Sequence, residues 1–338
     1  MRRALALALA LAFLACGLAS AAEPRTTPAP ASPQRFAPDQ LQQDGRVTLT
    51  PAFSPDGNTI YFAQSDCSPI WECPQRLKRS RRTADGWSAP ELVTLPAEGR
   101  VDYPSVSPDG RTLLFSWAAA RDRLAGAEVD SDFDLYTLDL SNPDAVPRPL
   151  DEPDINRIRG GAVLTLRFVN NETAPQLTRD GDLYFWTERL DGPGERDIYV
   201  ARNDGKGGFE KPEPLPAPIN SPLRDTLGWI SSDGDLMLLA YSGRRGLGEN
   251  GIFASWKRDG TWSKPVNLGP TVNSAYSDFA PRLSHDGKTL LFSSTRPFEG
   301  QAAGLIQVWA VPVAAVPALR DAGPAAATSS TGAAAGAR

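Results

Sequence analysis

The sequence predicts an all-β fold, a five-bladed β-propeller of four-stranded antiparallel blades closed into a ring by an N-terminal strand. The main observation is a repeated phrase. "TPAFSPDGNTIYFAQ" recurs as "YPSVSPDGRTLLFSW", "APQLTRDGDLYFWT", "LGWISSDGDLMLLAYS" and "APRLSHDGKTLLFSS". The turn glycines Gly57, Gly110, Gly181, Gly234 and Gly287 are 53, 71, 53 and 53 residues apart. An interval that recurs three times implies one structural unit per period. Composition agrees, since 29 glycines and 31 prolines among 338 residues favour turns and short strands over long helices.

Each unit reads as four strands. A short inner strand runs into the Asp-Gly turn, built on Asp56, Asp109, Asp180, Asp233 and Asp286. The most apolar strand follows, as in "TLLFS". A third strand comes next, such as "FDLYTLDL" or "RDIYVARN". A second Asp-Gly turn beside an aromatic residue then opens the fourth strand in "DGWSAPELV" and "DGTWSKPVNLG". Asp-Gly between alternating strands is a strong hairpin signal. One four-stranded sheet per period is a propeller blade, which must pack on its neighbours to bury its faces. The 71-residue interval divides its surplus between two loops of the second unit, so neither holds a sixth blade. The last unit lacks a fourth strand, and "RFAPDQLQQDGRVTL" near the N-terminus is expected to supply it. That closure removes exposed sheet edges.

The repeat resembles the TolB-like β-propeller repeat, close to P-x-x-S-P-D-G-x-x-L-x-F-x-S. Ser54-Pro55-Asp56-Gly57 and Ser107-Pro108-Asp109-Gly110 match it fully; Arg179, Ser232 and His285 replace the turn proline in the other three copies. The resemblance covers roughly residues 36–313 and implies a propeller without the additional N-terminal α/β domain of TolB. The remaining boundaries follow. Residues 1–22 read as a signal peptide: Arg2 and Arg3, an apolar run, then small residues with cleavage after Ala21 or Ala22. The apolar run is too short to favour a membrane span. A lipid anchor at Cys16 is the alternative. Residues 23–35 form a Pro/Ala-rich linker, and residues 314–338 a low-complexity, disordered tail. The protein is therefore expected to be exported, periplasmic or extracellular. Cys67 and Cys73 then form a disulfide.

Several classes of function are disfavoured. A net charge of −5 argues against a nucleic-acid binder. No nucleophile elbow, P-loop or dinucleotide fingerprint occurs, and one histidine, His285, does not make a triad or a zinc site. Carboxylates provide the candidates. Glu172, Asp225 and Asp278 each precede their turn glycine by nine residues, and Asp102 by eight; Thr48 holds the position in the first unit. A ring of acids at a channel mouth suits a cation, an amine or a sugar. The alternative is that they bond inter-blade amides and Arg or Ser side chains. Their face also carries the cysteine loop and both insertions, which makes it the expected binding face for an envelope protein, peptide or glycan. No cofactor is required. Asp130, Asp132 and Asp134 alternate as calcium ligands do, but lack the glycine and distal glutamate of an EF-hand loop. Trp71, Trp117 and Trp186 suit either sugar stacking or blade packing. "QRLKRSRR" reads as a solvated strand edge. The expected function is a non-catalytic binding or protein-interaction scaffold, the alternative a carboxylate-based glycoside hydrolase.

Overall fold

A computed structural model of the protein describes residues 32–321, apart from 43–44, 69, 71–72, 120–132, 158–170, 190 and 243–249. It contains five antiparallel sheets, one per repeat. The second blade orders its strands as Gly99–Val106, Thr112–Ala119, Asp134–Asp139 and Arg148–Pro149. The third runs Glu172–Leu177, Leu183–Thr187, Asp197–Ala201 and Glu213–Pro214. Blades one and four follow the same path, each with its outer strand split in two.

The second strands are apolar throughout because both of their faces are covered. In the second blade Leu113, Phe115 and Trp117 pack toward the first blade with Tyr61 and Leu77. Leu114, one residue out of phase, packs toward the third with Leu183 and Phe185. The side-chain period of two thus feeds two inter-blade cores from one strand. Trp117 and Trp186 belong to these cores, 3% and 6% exposed, so blade packing is their role. Trp71 lies outside the described residues.

The turn glycines take φ of 70, 75, 85, 71 and 68°, the left-handed region that favours glycine. Around them Ser54, Ser107 and Ser284 donate to Asp56, Asp109 and Asp286, whose carboxylates also accept the amides of Asn58, Arg111 and Lys288. These bonds hold the three carboxyls below the usual aspartate range. In the fourth blade Ser231 bonds Asp235 instead of Asp233.

The ring closes through the N-terminus as expected, but the strand is Gln34–Arg35, inside the stretch assigned to the linker. It pairs antiparallel with Gln307–Pro312, the third strand of the last blade. Val47–Thr48 then pairs with the second strand of the first blade. The expected tail also needs correction, because the folded polypeptide passes Val313: Val316 and Leu319 are buried in the core of blades four and five, and Pro317–Arg320 is helical. A segment of Ala and Pro can dock where it delivers two apolar side chains to an unfilled core edge. The signal peptide, Cys16 and residues 322–338 lie outside the described residues. Among the described residues no helix is long and apolar enough to cross a membrane.

Candidate functional site

The linkers between blades repeat one device. Asn156, Asn220 and Asn273 each accept the amide and donate to the carbonyl of a third-strand residue, Leu135, Ile198 and Ile252 respectively. Gln42 does the same for Val308 of the last blade. Directly after the asparagine, Ser221 and Ser274 turn to the next blade. The backbone amide and hydroxyl of Ser221 donate to Asp225, and those of Ser274 to Asp278. The pattern Asn-Ser-x-x-x-Asp thus ties one blade's third strand to the next blade's inner strand.

This fixes the fate of the candidate acids. Glu172, Asp225 and Asp278 have no exposed surface. Glu172 accepts from Thr187 at 3.2 Å and from Arg189 Nε at 3.1 Å, inside a buried ion pair. Asp278 accepts from Ser294 and Arg296 Nη2, both at 2.6 Å. The three acids share one register without forming a common open site; each is sealed into its own seam. Asp102 differs. It pairs across the sheet with Ser116, while Val101 holds the register of the other acids by pairing with Trp117. One residue of offset puts the carboxylate on the opposite face of the strand. It stays half-buried, accepts the Tyr103 amide at 2.8 Å, and burial pushes its pKa up to about 7. Thr48 of the first blade is buried in the shared register.

Of the calcium candidates, Asp130 and Asp132 lie outside the described residues. Asp134 is buried as the first residue of a third strand. Among the described residues no three His, Cys, Asp or Glu side chains group as metal ligands. Cys67 and Cys73 are joined in a disulfide with Cα atoms 5.8 Å apart.

The inner strands carry a feature that sequence reading missed. Four of them slip register at one point: between Asp102 and Ser105, Thr173 and Gln176, Leu227 and Trp229, and Phe279 and Arg282. At three of these bulges the residue before the repeat proline is left-handed: Tyr103 at φ 44°, Ala174 at 58° and Ala280 at 49°. The fourth blade has Gly228 in place of the repeat proline, and a Cβ there would lie 2.3 Å from Pro281 Cδ. Bulges re-aim side chains beside sites. The signal was the repeat proline, or the glycine in its place.

Beyond the bulges the five inner strands surround an axial cavity of about 200 Å³. Its walls include Phe53, Ser105, Gln176, Trp229 and Arg282, one residue from each blade. Its lip is the position before each turn aspartate: Pro55, Pro108, Arg179, Ser232 and His285. The three replacements of the turn proline therefore all face this cavity. No carboxylate of the described residues lines it. It opens on the Asp-Gly turn face, opposite the face expected to bind. Both second-blade insertions lie largely outside the described residues. A larger cavity of about 460 Å³ lies off the axis, between the first two blades along residues 92–99.

Neither a family model nor a curated protein matches the sequence. Among solved structures the chain is similar to TolB from Acinetobacter baumannii, at 17% identity and a TM-score of 0.44, over 78% of this chain and 54% of that one. It is similar to the α-L-arabinofuranosidase from Lactobacillus brevis at 13% identity and 0.45, over 82% and 93%. It is also similar to prolyl oligopeptidase B from Galerina marginata at 14% identity and 0.39, over 74% and 31%. The chain thus spans about half the length of that TolB and about a third of that peptidase. On its own five sheets and its five repeated turns, the chain is a five-bladed β-propeller.

Proposed function

We propose that this protein is an exported, non-catalytic binding propeller that receives part of a ligand or partner in the axial cavity on its turn face. The observation that carries this reading is convergence. All five blades contribute to one cavity, and its lip departs from the repeat's turn proline at Arg179, Ser232 and His285. A turn position that varies where it faces a shared cavity suits recognition more than folding. Export is supported by the leader-like N-terminus and by the Cys67–Cys73 disulfide. Hydrolysis of a glycoside would need two carboxyls roughly 5–9.5 Å apart, one of them held protonated. Glu172, Asp225 and Asp278 are instead occupied by blade-seam partners, which favours binding over hydrolysis.

Calorimetric titration with panels of amines, sugars, organic acids and short peptides tests the proposal. At least one class is expected to bind wild type and to lose at least tenfold in affinity in Ser232→Phe, a variant that fills the lip and gives up one side-chain bond, that of the Ser232 hydroxyl with Arg179 Nη2. Turnover of aryl glycosides that Glu172→Gln abolishes, or binding indifferent to Ser232→Phe, would overturn it.

A further inference from the structure

Arg282 is the unusual residue of the cavity. Its side chain is 6% exposed, and it reaches across the axis from the fifth blade to the second, where Nη2 donates to the carbonyl of Pro104 at 3.0 Å. These blades are not neighbours in the ring, so the guanidinium bars the channel and floors the cavity. It has no ion-pair partner among the described residues, in contrast to Arg189 and Arg296, which meet Glu172 and Asp278. One of its five N–H donors is thus matched to a protein acceptor. An unpaired buried cation costs several kcal/mol, and proteins normally avoid it with a counter-charge. Burial lowers the Arg282 pKa to about 10, so it remains a cation at neutral pH.

The surroundings point the same way. The ionisable residues of the lining are Arg179, Arg282 and His285, and none is acidic. Arg179 shares its charge with Asp233 at the lip, and His285 lies against Phe53 with ring centroids 6.0 Å apart. The walls between floor and lip mix the Phe53 and Trp229 rings with the polar Ser105 and Gln176. The volume holds about six or seven waters at liquid density. A planar guanidinium pairs best with a planar two-oxygen acceptor. The Phe53 and Trp229 rings beside it suit an acceptor on a hydrocarbon body better than an inorganic ion.

We propose that the axial cavity binds a carboxylate carried on a small apolar body, with Arg282 as its counter-ion. The source is either a free organic acid or the C-terminus of a peptide. The proposal rests on the reading of the cavity as the binding site and adds its chemical class.

The test uses wild-type protein and acid–amide pairs: 4-methylpentanoate with 4-methylpentanamide, and N-acetyl-Ala-Leu with its amide. Calorimetry should show the acids binding at least tenfold tighter than the amides. Arg282→Met should abolish that preference, and Arg282→Lys should retain part of it. Greater affinity for the dipeptide acid assigns the site to peptide C-termini; equal affinity assigns it to free acids; both support the proposal. Equal binding of acid and amide by wild type overturns it even if Arg282→Met fails to fold. So does tighter binding of inorganic phosphate, or no binding of either acid at 10 mM (roughly the weakest affinity of interest). If another class then binds in a manner sensitive to Ser232→Phe, the binding-propeller reading survives while the carboxylate proposal does not.

Discussion

Asp102 and Asn273 illustrate how much a single residue's register matters. Burial raises the Asp102 carboxyl from 3.8 to about 7, so between those values the folded ring holds a proton that the unfolded state has released. Its contribution to stability is therefore greatest below pH 4, falls as pH rises and is lost above about 7. Asp102→Asn keeps an acceptor for the Tyr103 amide and has no charge to bury. It should melt above wild type at pH 8, with the gap closing toward pH 4. Calorimetric melts across that range check this; a gap independent of pH would mean that the ionised carboxylate is well solvated. Asn273 is 2% exposed and serves both the amide and the carbonyl of Ile252. Asn273→Ala leaves both backbone groups unmatched and should cost about 2–3 kcal/mol in denaturant titrations.

At the scale of the strand, the bulge is the element that shapes the cavity. It lets each inner strand turn its last residues toward the axis while its first residues stay bonded in the seam. Gly228 is required at the fourth bulge by close approach, with Pro281 Cδ and O 2.3 and 2.8 Å from where a Cβ would stand. Gly228→Ala should cost roughly 1–3 kcal/mol through overpacking. It should also alter ligand affinity in the cavity more than Asn273→Ala does, because the seam lies farther from the lip. The cysteine loop is a local clasp. Closing so short a loop is worth about 2 kcal/mol, so reduction should lower the melting temperature modestly and leave the ring intact, as followed by circular dichroism.

The whole molecule depends on a few N-terminal residues. Gln34–Arg35 completes the last blade, Phe36 and Leu41 pack on the first, and Gln42 clamps Val308. A variant beginning at Arg46 would lose all three contacts and expose the edge of Gln307–Pro312. It should melt in a broad, less cooperative transition and self-associate through that edge. Size-exclusion chromatography and calorimetry read both effects; a sharp transition at the wild-type temperature would show that the closure contributes little.

Read alone, the sequence determined the number and kind of blades, because turn glycines and alternating apolar residues are local signals that repeat. It also pointed to closure of the ring by the N-terminus, since "RFAPDQLQQDGRVTL" resembles "GWSAPELVTLPAEGRVDY". The asparagine clamps were legible in principle, with Asn220 and Asn273 one 53-residue period apart, but a residue's partner across a seam is not written in its spacing. The acids were found by position, yet their roles were decided by packing. Position in the repeat does not tell whether a carboxylate meets water or an arginine; the one-residue offset of Asp102 can be counted from Gly110, but only the strand pairing shows that it turns the side chain to the other face. Arg282 gave no local signal at all. Its significance comes from the ring, which brings residues of five blades, as distant in sequence as Pro104 and Arg282, around one axis.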